Sequence, residues 1–216
     1  MKKVFPILVL ALLMCQCNSQ ATHNETQRKS PRDQYPEKFT ENYIGERAKM
    51  LIEFVPDHVF DQSIKPAFTG DYYKLLEEAW AVPVYDNGVI GENEWLYYFM
   101  TGNGDCECSS HPKTILDLKV LDDDSAWVKM NYIHQDHDMV LHFEDGDWVI
   151  ADFDGTKDQL ADYIREQRDF LVDLNLDSFY DMMKVIFGDS FTKEEAAAEY
   201  DDFKSSVEAY FKKYPK

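Results

Sequence analysis

The spacing of apolar residues along the chain predicts two helices in its first half. Apolar side chains recur every three or four positions between Thr40 and Pro56, which is typical of an amphipathic helix that is capped at Thr40 and stopped at Pro56. Residues 70–81 show the same period. The two predicted apolar stripes are Ile44, Ala48, Leu51, Ile52 and Val55, and then Tyr73, Leu76, Ala79 and Trp80.

Three more helices, each with one apolar face, are predicted after residue 155. Thr156 with Gln159, and Thr192 with Glu195, have the spacing of capping boxes, in which two side chains satisfy free amides at a helix start. The three stripes are Leu160, Ile164, Leu171 and Leu174, then Phe179, Met182, Met183 and Ile186, and finally Ala196, Tyr200, Phe203, Val207 and Phe211.

The middle of the chain has the short period of β-strands. Turn-forming residues separate four apolar runs, which indicates an antiparallel meander. The aromatic run Trp95–Met100 is also predicted as a strand. The four runs are 114–121, 125–134, 138–144 and 147–153, and the turns between them are Asp122–Asp124, Gln135–His137 and Asp145–Gly146.

Alternation along these strands assigns side chains to faces. Val128, Met130 and Tyr132 share one face of the second strand, and Met139, Leu141 and Phe143 share one face of the third. On the fourth strand, Trp148 and Ile150 share a face with Asp152. Asp152 is therefore predicted to point toward apolar neighbours.

A helical start, a Gly102-Asn103-Gly104 turn and a strand Asp147–Phe153 placed before a helix resemble the NTF2-like (cystatin-like) α+β fold. The Trp-x-Ile-x-Asp strand before a helix resembles, more narrowly, the uncharacterised bacterial lipoproteins of the DUF3828 type. The resemblance spans about residues 43–172. It implies a bent antiparallel sheet wrapped around helices as a cone, with a pocket at its wide end that serves catalysis or binding in different relatives.

These patterns divide the chain into four parts. The NTF2-like domain is predicted at 37–172, and residues 173–216, outside the family pattern, are predicted to form a helical extension packed on it. Residues 17–36 are poor in apolar side chains and are predicted to be a disordered tether. Residues 1–16 are predicted to be a signal peptide.

The predicted signal consists of Lys2 and Lys3 followed by the uncharged run Val4–Met14. Eleven residues of helix rise roughly 16 Å, about half of the hydrocarbon core that a spanning helix must cross. The run is thus typical of a signal peptide rather than of a membrane anchor.

Cysteines stand where this apolar run ends, which resembles the lipoprotein signals of Gram-negative bacteria. That resemblance implies acylation of a cysteine that becomes the first residue of the mature chain. Met14 and Gln16 depart from the small residue usual before such a cysteine, so Cys15 and Cys17 are both candidates. Cys17 is favoured because cleavage there leaves an even number of thiols. We expect a protein tethered to a membrane of the cell envelope, the outer membrane above all, with its domain outside the cytoplasm.

The charge balance is strongly acidic, with 22 lysines and arginines against 41 aspartates and glutamates, a net charge of −19. Removal of residues 1–16 takes away two lysines and no acids, which leaves 20 basic against 41 acidic residues, or −21. Nucleic acid is excluded as a partner on this ground. A well-solvated acidic surface is the simplest explanation, and attraction of a basic protein is the alternative.

Two groups of residues have metal-binding side chains. Cys106 and Cys108 with His111 have ligand types that zinc prefers, but a closed zinc site needs four ligands, so a disulfide between the two cysteines is favoured. His134, His137 and His142 lie around one predicted hairpin without a fixed ligand geometry. No metal or other cofactor is expected.

Asp152 is the strongest acid–base candidate, because an apolar pocket would raise the pKa of its carboxyl toward the useful range. His142 and His134 are its candidate partners. The alternative is structural: Asp152 accepts hydrogen bonds from backbone amides or from the first turn of the following helix. The candidate ligand pocket consists of Trp80, Tyr85, Trp95, Tyr98 and Trp148 with Asp152.

The chain contains no signature of serine hydrolases, P-loop nucleotide-binding proteins, zinc metallopeptidases or EF-hand proteins. The leading hypothesis is a non-enzymatic, membrane-tethered domain that binds a small ligand or an envelope protein. The alternatives are an acidic immunity or inhibitor protein for a basic toxin or enzyme, and a dehydratase- or isomerase-like enzyme that uses Asp152.

Overall fold

The computed structural model describes residues 29–58, 62–86, 89–91 and 111–215. In these residues the chain has the predicted α+β class, with a four-stranded antiparallel sheet and six α-helices. The helices are α1 (Pro31–Gln34), α2 (Glu41–His58), α3 (Gly70–Ala81), α4 (Thr156–Val172), α5 (Leu176–Phe187) and α6 (Lys193–Lys213). The strands are β1 (Val84–Asp86), β2 (Val89–Gly91), β3 (Thr114–Val120), β4 (Ser125–Tyr132), β5 (Gln135–Glu144) and β6 (Asp147–Phe153).

The sheet is a meander in the order β3-β4-β5-β6, and β1 and β2 form a separate hairpin. The last residues of the predicted tether include helix α1, and a 3₁₀ turn (Pro36–Phe39) begins at its final residue. Tyr35, between them, packs on Phe143. A second 3₁₀ turn, Gln62–Ala67, leads to Phe68, which bridges to Ile150 in parallel and covers the edge of β6.

Helix α2 follows its predicted apolar stripe. The Thr40 hydroxyl accepts a hydrogen bond from the Tyr43 amide at 3.3 Å, so the predicted N-cap is confirmed. All five stripe residues are at most 2% exposed. The predicted stop at Pro56 is wrong, because the helix continues to His58. A proline in the last turn removes one amide hydrogen bond, which the end of a helix tolerates better than its middle.

The β4–β5 hairpin turns earlier than predicted. Its two-residue turn is Ile133-His134, with φ angles of 49° and 62°, and Gln135–His137 belong to β5. Positive φ at both positions matches the twist of the strands. A β-branched residue rarely adopts it, so the polar residues that follow gave the stronger turn signal. The predicted turn Asp145-Gly146 is confirmed, with φ angles of 51° and 88°.

Strand β6 contains a bulge that changes the face of its last residues. Leu141 pairs with Ile150, but Val140 pairs with Asp152, so Ala151 is an extra residue between them. Trp148, Ile150 and Phe153 remain on the inner face, the side that packs on the helices. Asp152 lies on the outer face, opposite to the prediction, because one inserted residue shifts the alternation by one position.

The main core lies between the inner face of the sheet and helices α2, α3 and α4. Eight strand side chains of this face have 0% exposure: Ala126, Val128, Met130, Tyr132, Met139, Leu141, Trp148 and Ile150. Helix α3 adds Tyr72, which the predicted stripe omitted and which is fully buried. Its hydroxyl bonds that of Thr156 at 2.7 Å.

Helices α4, α5 and α6 enclose a second core around Leu171, Phe179, Met183, Phe203 and Val207. The stripe predicted for α5 is only partly buried, since Ile186 is 43% exposed. At the start of α6 the predicted capping box is confirmed: the Glu195 amide donates to the Thr192 hydroxyl at 3.2 Å, and the Thr192 amide donates to the Glu195 carboxylate at 2.7 Å.

The capping box predicted at Thr156 does not form. Thr156 is the first residue of α4, and its hydroxyl donates to the Phe153 carbonyl instead of accepting from the first turn. The residue before it, Gly155, has a φ of 71°. The Thr156 hydroxyl points inward to the Tyr72 hydroxyl and the Phe153 carbonyl, so it does not cap the amides of the first turn of α4.

A charged network joins the two cores. Glu78 of α3 accepts hydrogen bonds from the Arg168 guanidinium at 2.7 Å and from the Tyr210 hydroxyl at 3.0 Å. The side chains of Glu78 and Arg168 are 17% and 24% exposed. Burial, and then the hydrogen bond to the Glu78 carboxylate, raise the pKa of Tyr210. Glu78 therefore holds α4 and α6 against α3.

We expect Glu78→Ala to lower the free energy of unfolding by about 2 kcal/mol, since two hydrogen bonds to a charged group in a half-buried site are lost. Urea denaturation measures this. The matched control is Glu77→Ala, whose side chain is 41% exposed and pairs with Lys213 at 3.4 Å. It should cost less than about 0.5 kcal/mol. Equal effects of the two variants would contradict the assigned role of Glu78.

Candidate functional site

A groove of about 440 Å³ opens on the outer face of the sheet, where β5 and β6 meet the first turns of α3 and α4. The strands contribute Val140, His142, Glu144, Ala151 and Asp152. His142 and Asp152 are thus brought into one groove, as diagonal neighbours across the β5–β6 pairing. They face solvent rather than the core.

The Asp152 carboxylate in this groove accepts hydrogen bonds from backbone amides. Its Oδ1 accepts hydrogen bonds from the amide of Phe153 at 2.9 Å and from the amide of Lys157 at 3.0 Å. Lys157 lies in the first turn of α4, where free amides favour a carboxylate. Asp152 thus makes the backbone hydrogen bonds that the structural interpretation expected, and the bulge at Ala151 brings it to them.

The helix side of the groove is formed by Thr69 and Asp71 at the start of α3, and by Lys157 and Asp158 at the start of α4. The Lys157 ammonium binds the Asp71 carboxylate and lowers the pKa of that carboxyl to about 2. The Asp71 carboxylate also accepts a hydrogen bond from the Tyr72 amide at 2.9 Å. This ion pair ties the two helix starts together across the groove.

Thr69 lies at the inner end of the groove and is 2% exposed. A hydrogen bond from its hydroxyl, with a geometry outside the standard limits, helps to lower the pKa of the nearby Asp71 carboxyl. The residue occupies the N-cap position of α3 without capping it through its side chain.

The groove has an excess of negative charge. Lys157 balances Asp71, and Asp152 is bound by backbone amides. Glu144 and Asp158 make no ion pair with any residue that the structure describes. The floor between these groups is apolar, because Val140 and Ala151 line it.

The three histidines near the hairpin do not converge. His137 faces the inner side, since it pairs with Met130, whereas His142 lies on the outer face. His134 sits in the turn, and its ring centroid is 5.6 Å from that of His111. In the described residues, no group of three or more His, Cys, Asp or Glu side chains is arranged to hold a metal ion.

His137 forms a pair with Asp154 that has the composition of a catalytic dyad. Its Nδ1 lies 2.7 Å from Asp154 Oδ2, and its Nε2 lies 3.2 Å from the Tyr132 carbonyl oxygen. Its ring stacks on Phe153 at 5.1 Å. Because both ring nitrogens already face acceptors, neither is free to take a proton from a substrate. The pair fastens the start of β5 to the residue that follows β6.

Of the aromatic residues predicted to line a pocket, the structure describes the side chains of Trp80 and Trp148, and neither lines the outer-face groove. Trp148 is wholly buried between Phe39 and Phe143, and its indole nitrogen donates to the Lys38 carbonyl at 2.7 Å. Trp80 is partly exposed, and its indole nitrogen is buried without a partner. The side chain of Tyr85 lies outside the described residues, as do Trp95, Tyr98, Cys106, Cys108, Cys15 and Cys17.

A second groove, of about 580 Å³, lies between α2 and β3. Three of its charged side chains are already neutralised, since Lys49 binds Glu46 at 2.8 Å and Asp117 binds Lys119 at 3.2 Å. The outer-face groove is the stronger candidate because it combines unpaired carboxylates with a buried polar group.

Sequence reasoning missed Thr69, Asp71, Glu144, Lys157 and Asp158. Two signals were present: Thr69 precedes a predicted helix, and Lys157 and Asp158 begin another. Nothing in the linear order indicates that these two helix starts meet at the same sheet edge.

No protein-family model, curated protein or solved structure matches the chain. Among the helices of the described residues, none combines the length and the apolar character needed to cross a membrane. The function is therefore argued from the geometry of the groove and the core.

We expect Asp152→Ala to lower the free energy of unfolding by about 1 kcal/mol, as the loss of an N-cap acceptor typically does. Asp152→Asn keeps an oxygen that accepts from both amides and should cost less than half as much. Thermal unfolding of the two variants measures the difference. A larger loss for Asn than for Ala would contradict the capping role.

Proposed function

We propose that this chain is an exported, lipid-anchored binding protein with an NTF2-like domain and no catalytic activity. Residues 1–16 direct export, an acylated Cys17 holds the protein on a membrane of the cell envelope, and the domain binds a small ligand or an envelope protein through the outer-face groove. The observation that carries the proposal is the burial of the apolar side chains on the inner face of β4, β5 and β6, each of which is at most 9% exposed.

A filled interior argues against a pocket enzyme. The resemblance implies a pocket bounded by the inner face of the sheet, where a base would act on a bound substrate. Here Met130, Tyr132 and Leu141 on that face have no exposed surface. Their apolar neighbours from α2, α3 and α4 occupy the space that a substrate would need.

The position of Asp152 supports the same conclusion. A general base must reach the proton that it removes. Asp152 is on the opposite side of the sheet from the implied pocket, and one of its oxygens is bound by two backbone amides. The groove that it lines is shallow, charged and open to water, which suits recognition better than proton abstraction from carbon.

Met130→Ala tests whether the interior is filled. In a close-packed core, truncation of methionine should lower the free energy of unfolding by about 2–5 kcal/mol, because a cavity is created. Met50→Ala on α2 is the control, since Met50 is 59% exposed, and it should have little effect. Urea denaturation of both variants gives the comparison. An equally small loss for Met130→Ala would indicate an open pocket and would favour the enzyme alternative.

Cys17→Ser tests the anchor. We expect this variant to leave the membrane fraction and to appear in soluble extracts, because a serine side chain cannot be acylated through a thiol. Cys15→Ser is the matched control and should stay in the membrane fraction. Fractionation followed by mass spectrometry of the mature N-terminus measures both. Release by Cys15→Ser alone would move the anchor to Cys15, and retention of a double variant would exclude lipid anchoring.

A further inference from the structure

We propose that two copies of this chain associate through the edge of the sheet, with β3 of one copy pairing antiparallel to β3 of the other about a two-fold axis at Leu118. The occupant of this edge is therefore a second copy of the same chain. Such self-association goes beyond the proposed binding function and is independent of it. Three features support it: a strand edge that is open for pairing, a self-complementary order of charged and apolar residues, and an apolar groove beside the strand.

The first feature is the open edge of β3. In the residues that the structure describes, its strand partner on one side is β4, and no strand pairs with its other side. The Leu121 amide, just after the strand, donates to the Ser125 carbonyl at 2.9 Å, so every second residue before it also directs its backbone groups toward β4. The backbone groups of Leu118 and Val120 therefore point to the open edge. The Leu118 amide donates to the side chain of the adjacent Asp117 at 2.9 Å, an acceptor that a partner's carbonyl can replace.

The second feature is the placement of charge. Charged side chains on an edge strand normally prevent it from pairing with another chain. Here Asp117 and Lys119 lie on the outer face, and their side chains are 48% and 61% exposed. A two-fold axis at Leu118 exchanges the two positions, so each carboxylate lies opposite the ammonium group of the other copy. Opposite charges in facing positions stabilise a strand pair, whereas like charges destabilise it.

The apolar residues of β3 follow the same symmetry. Leu118 lies opposite its own copy across the axis, and Leu116 lies opposite Val120. Leu116 and the flanking Leu121 are 49% and 57% exposed, so this edge presents apolar surface to water. The bulge at Leu116 marks the end of the paired segment, which is consequently limited to residues 116–120.

The third feature is the groove of about 580 Å³ between α2 and β3. Ile115 and Leu118 line it from the strand, and Gly45 lines it from the helix. A Cβ atom at Gly45 would lie 3.5 Å from the Ile115 side chain and 3.8 Å from that of Leu118, so the glycine keeps these apolar groups uncovered. Because Leu118 lies on the helix side of the sheet, its copy in an added strand lies beside this groove.

We expect the dimer to be weak. Two short strands bury less than the roughly 1,200 Å² of a standard interface, and each copy carries a net charge of −19, which opposes association. We therefore expect a dissociation constant in the micromolar range, between roughly 10 µM and 500 µM.

Charge reversal at the edge tests the pairing. The full-length protein in density-matched non-ionic detergent is studied by sedimentation equilibrium up to roughly 1 mM, above the expected dissociation constant. Lys119→Asp and Asp117→Lys should each weaken dimerisation roughly tenfold, because like charges then face each other twice. The variant that combines both substitutions should dimerise like the wild type, since opposite charges face each other again. The control is Lys204→Asp on α6, an exposed residue that undergoes the same change of charge and should leave dimerisation unchanged.

An equal mixture of Lys119→Asp and Asp117→Lys proteins should associate at least as tightly as the wild type. One copy then carries two carboxylates at the edge and the other two ammonium groups. A wild-type protein that stays monomeric up to the highest concentration would overturn the proposal. It would also be overturned if Lys119→Asp and Lys204→Asp had equal effects, or if neither the combined variant nor the mixture restored association.

A cysteine at the axis tests the register. Leu118→Cys places two thiols opposite each other with a Cα separation of about 5.5 Å, which a disulfide can bridge. Val120→Cys is the matched control, because the two copies of this position are roughly 14 Å apart along the paired strands. After oxidation with diamide, non-reducing electrophoresis measures the covalent dimer. We expect at least tenfold more of it from Leu118→Cys than from Val120→Cys or the wild type, and equal amounts would contradict a two-fold axis at Leu118.

Discussion

The dense packing of one face of the sheet against helices α2, α3 and α4 is the constraint on which the rest of the molecule depends. The apolar side chains of β4, β5 and β6 on this face are at most 9% exposed, and the helices supply matching apolar stripes. Close-packed interiors have no room for unpaired polar groups. Most polar residues of β4, β5 and β6 consequently lie on the outer face, where the groove is found.

The bulge at Ala151 places Asp152 on the outer face of the sheet, where it lines the groove. Without the extra residue, alternation would carry Asp152 inward toward Trp148 and Ile150. With it, the carboxylate reaches the first turn of α4 and positions that helix start beside the start of α3, where Lys157 binds Asp71. One inserted residue thus orients a helix, closes one wall of a groove and leaves two carboxylates free for a ligand.

Helix α4 links the groove to the C-terminal region. Its first half packs in the main core through Leu160 and Ile164, and its second half reaches the second core through Leu171. Glu78 fixes this arrangement by binding Arg168 of α4 and Tyr210 of α6. The C-terminal helices therefore brace the element whose first turn forms the groove wall, and they leave the groove open to solvent.

Hydrophobic periodicity alone determined the α+β class, the stripe of α2, the four strands of the meander and the cap at Thr192, because each depends on neighbours within a few positions. The turn at Ile133-His134, the outward Asp152 and the inward Thr156 hydroxyl depended on contacts between distant segments. The groove depended most on such distant contacts. It joins residues near positions 70, 142 and 157, and only the docking of two helix starts on a bulged strand brings them together. Local pattern encodes which face is apolar, whereas a one-residue shift in register, set by tertiary packing, decides where the charged groups meet.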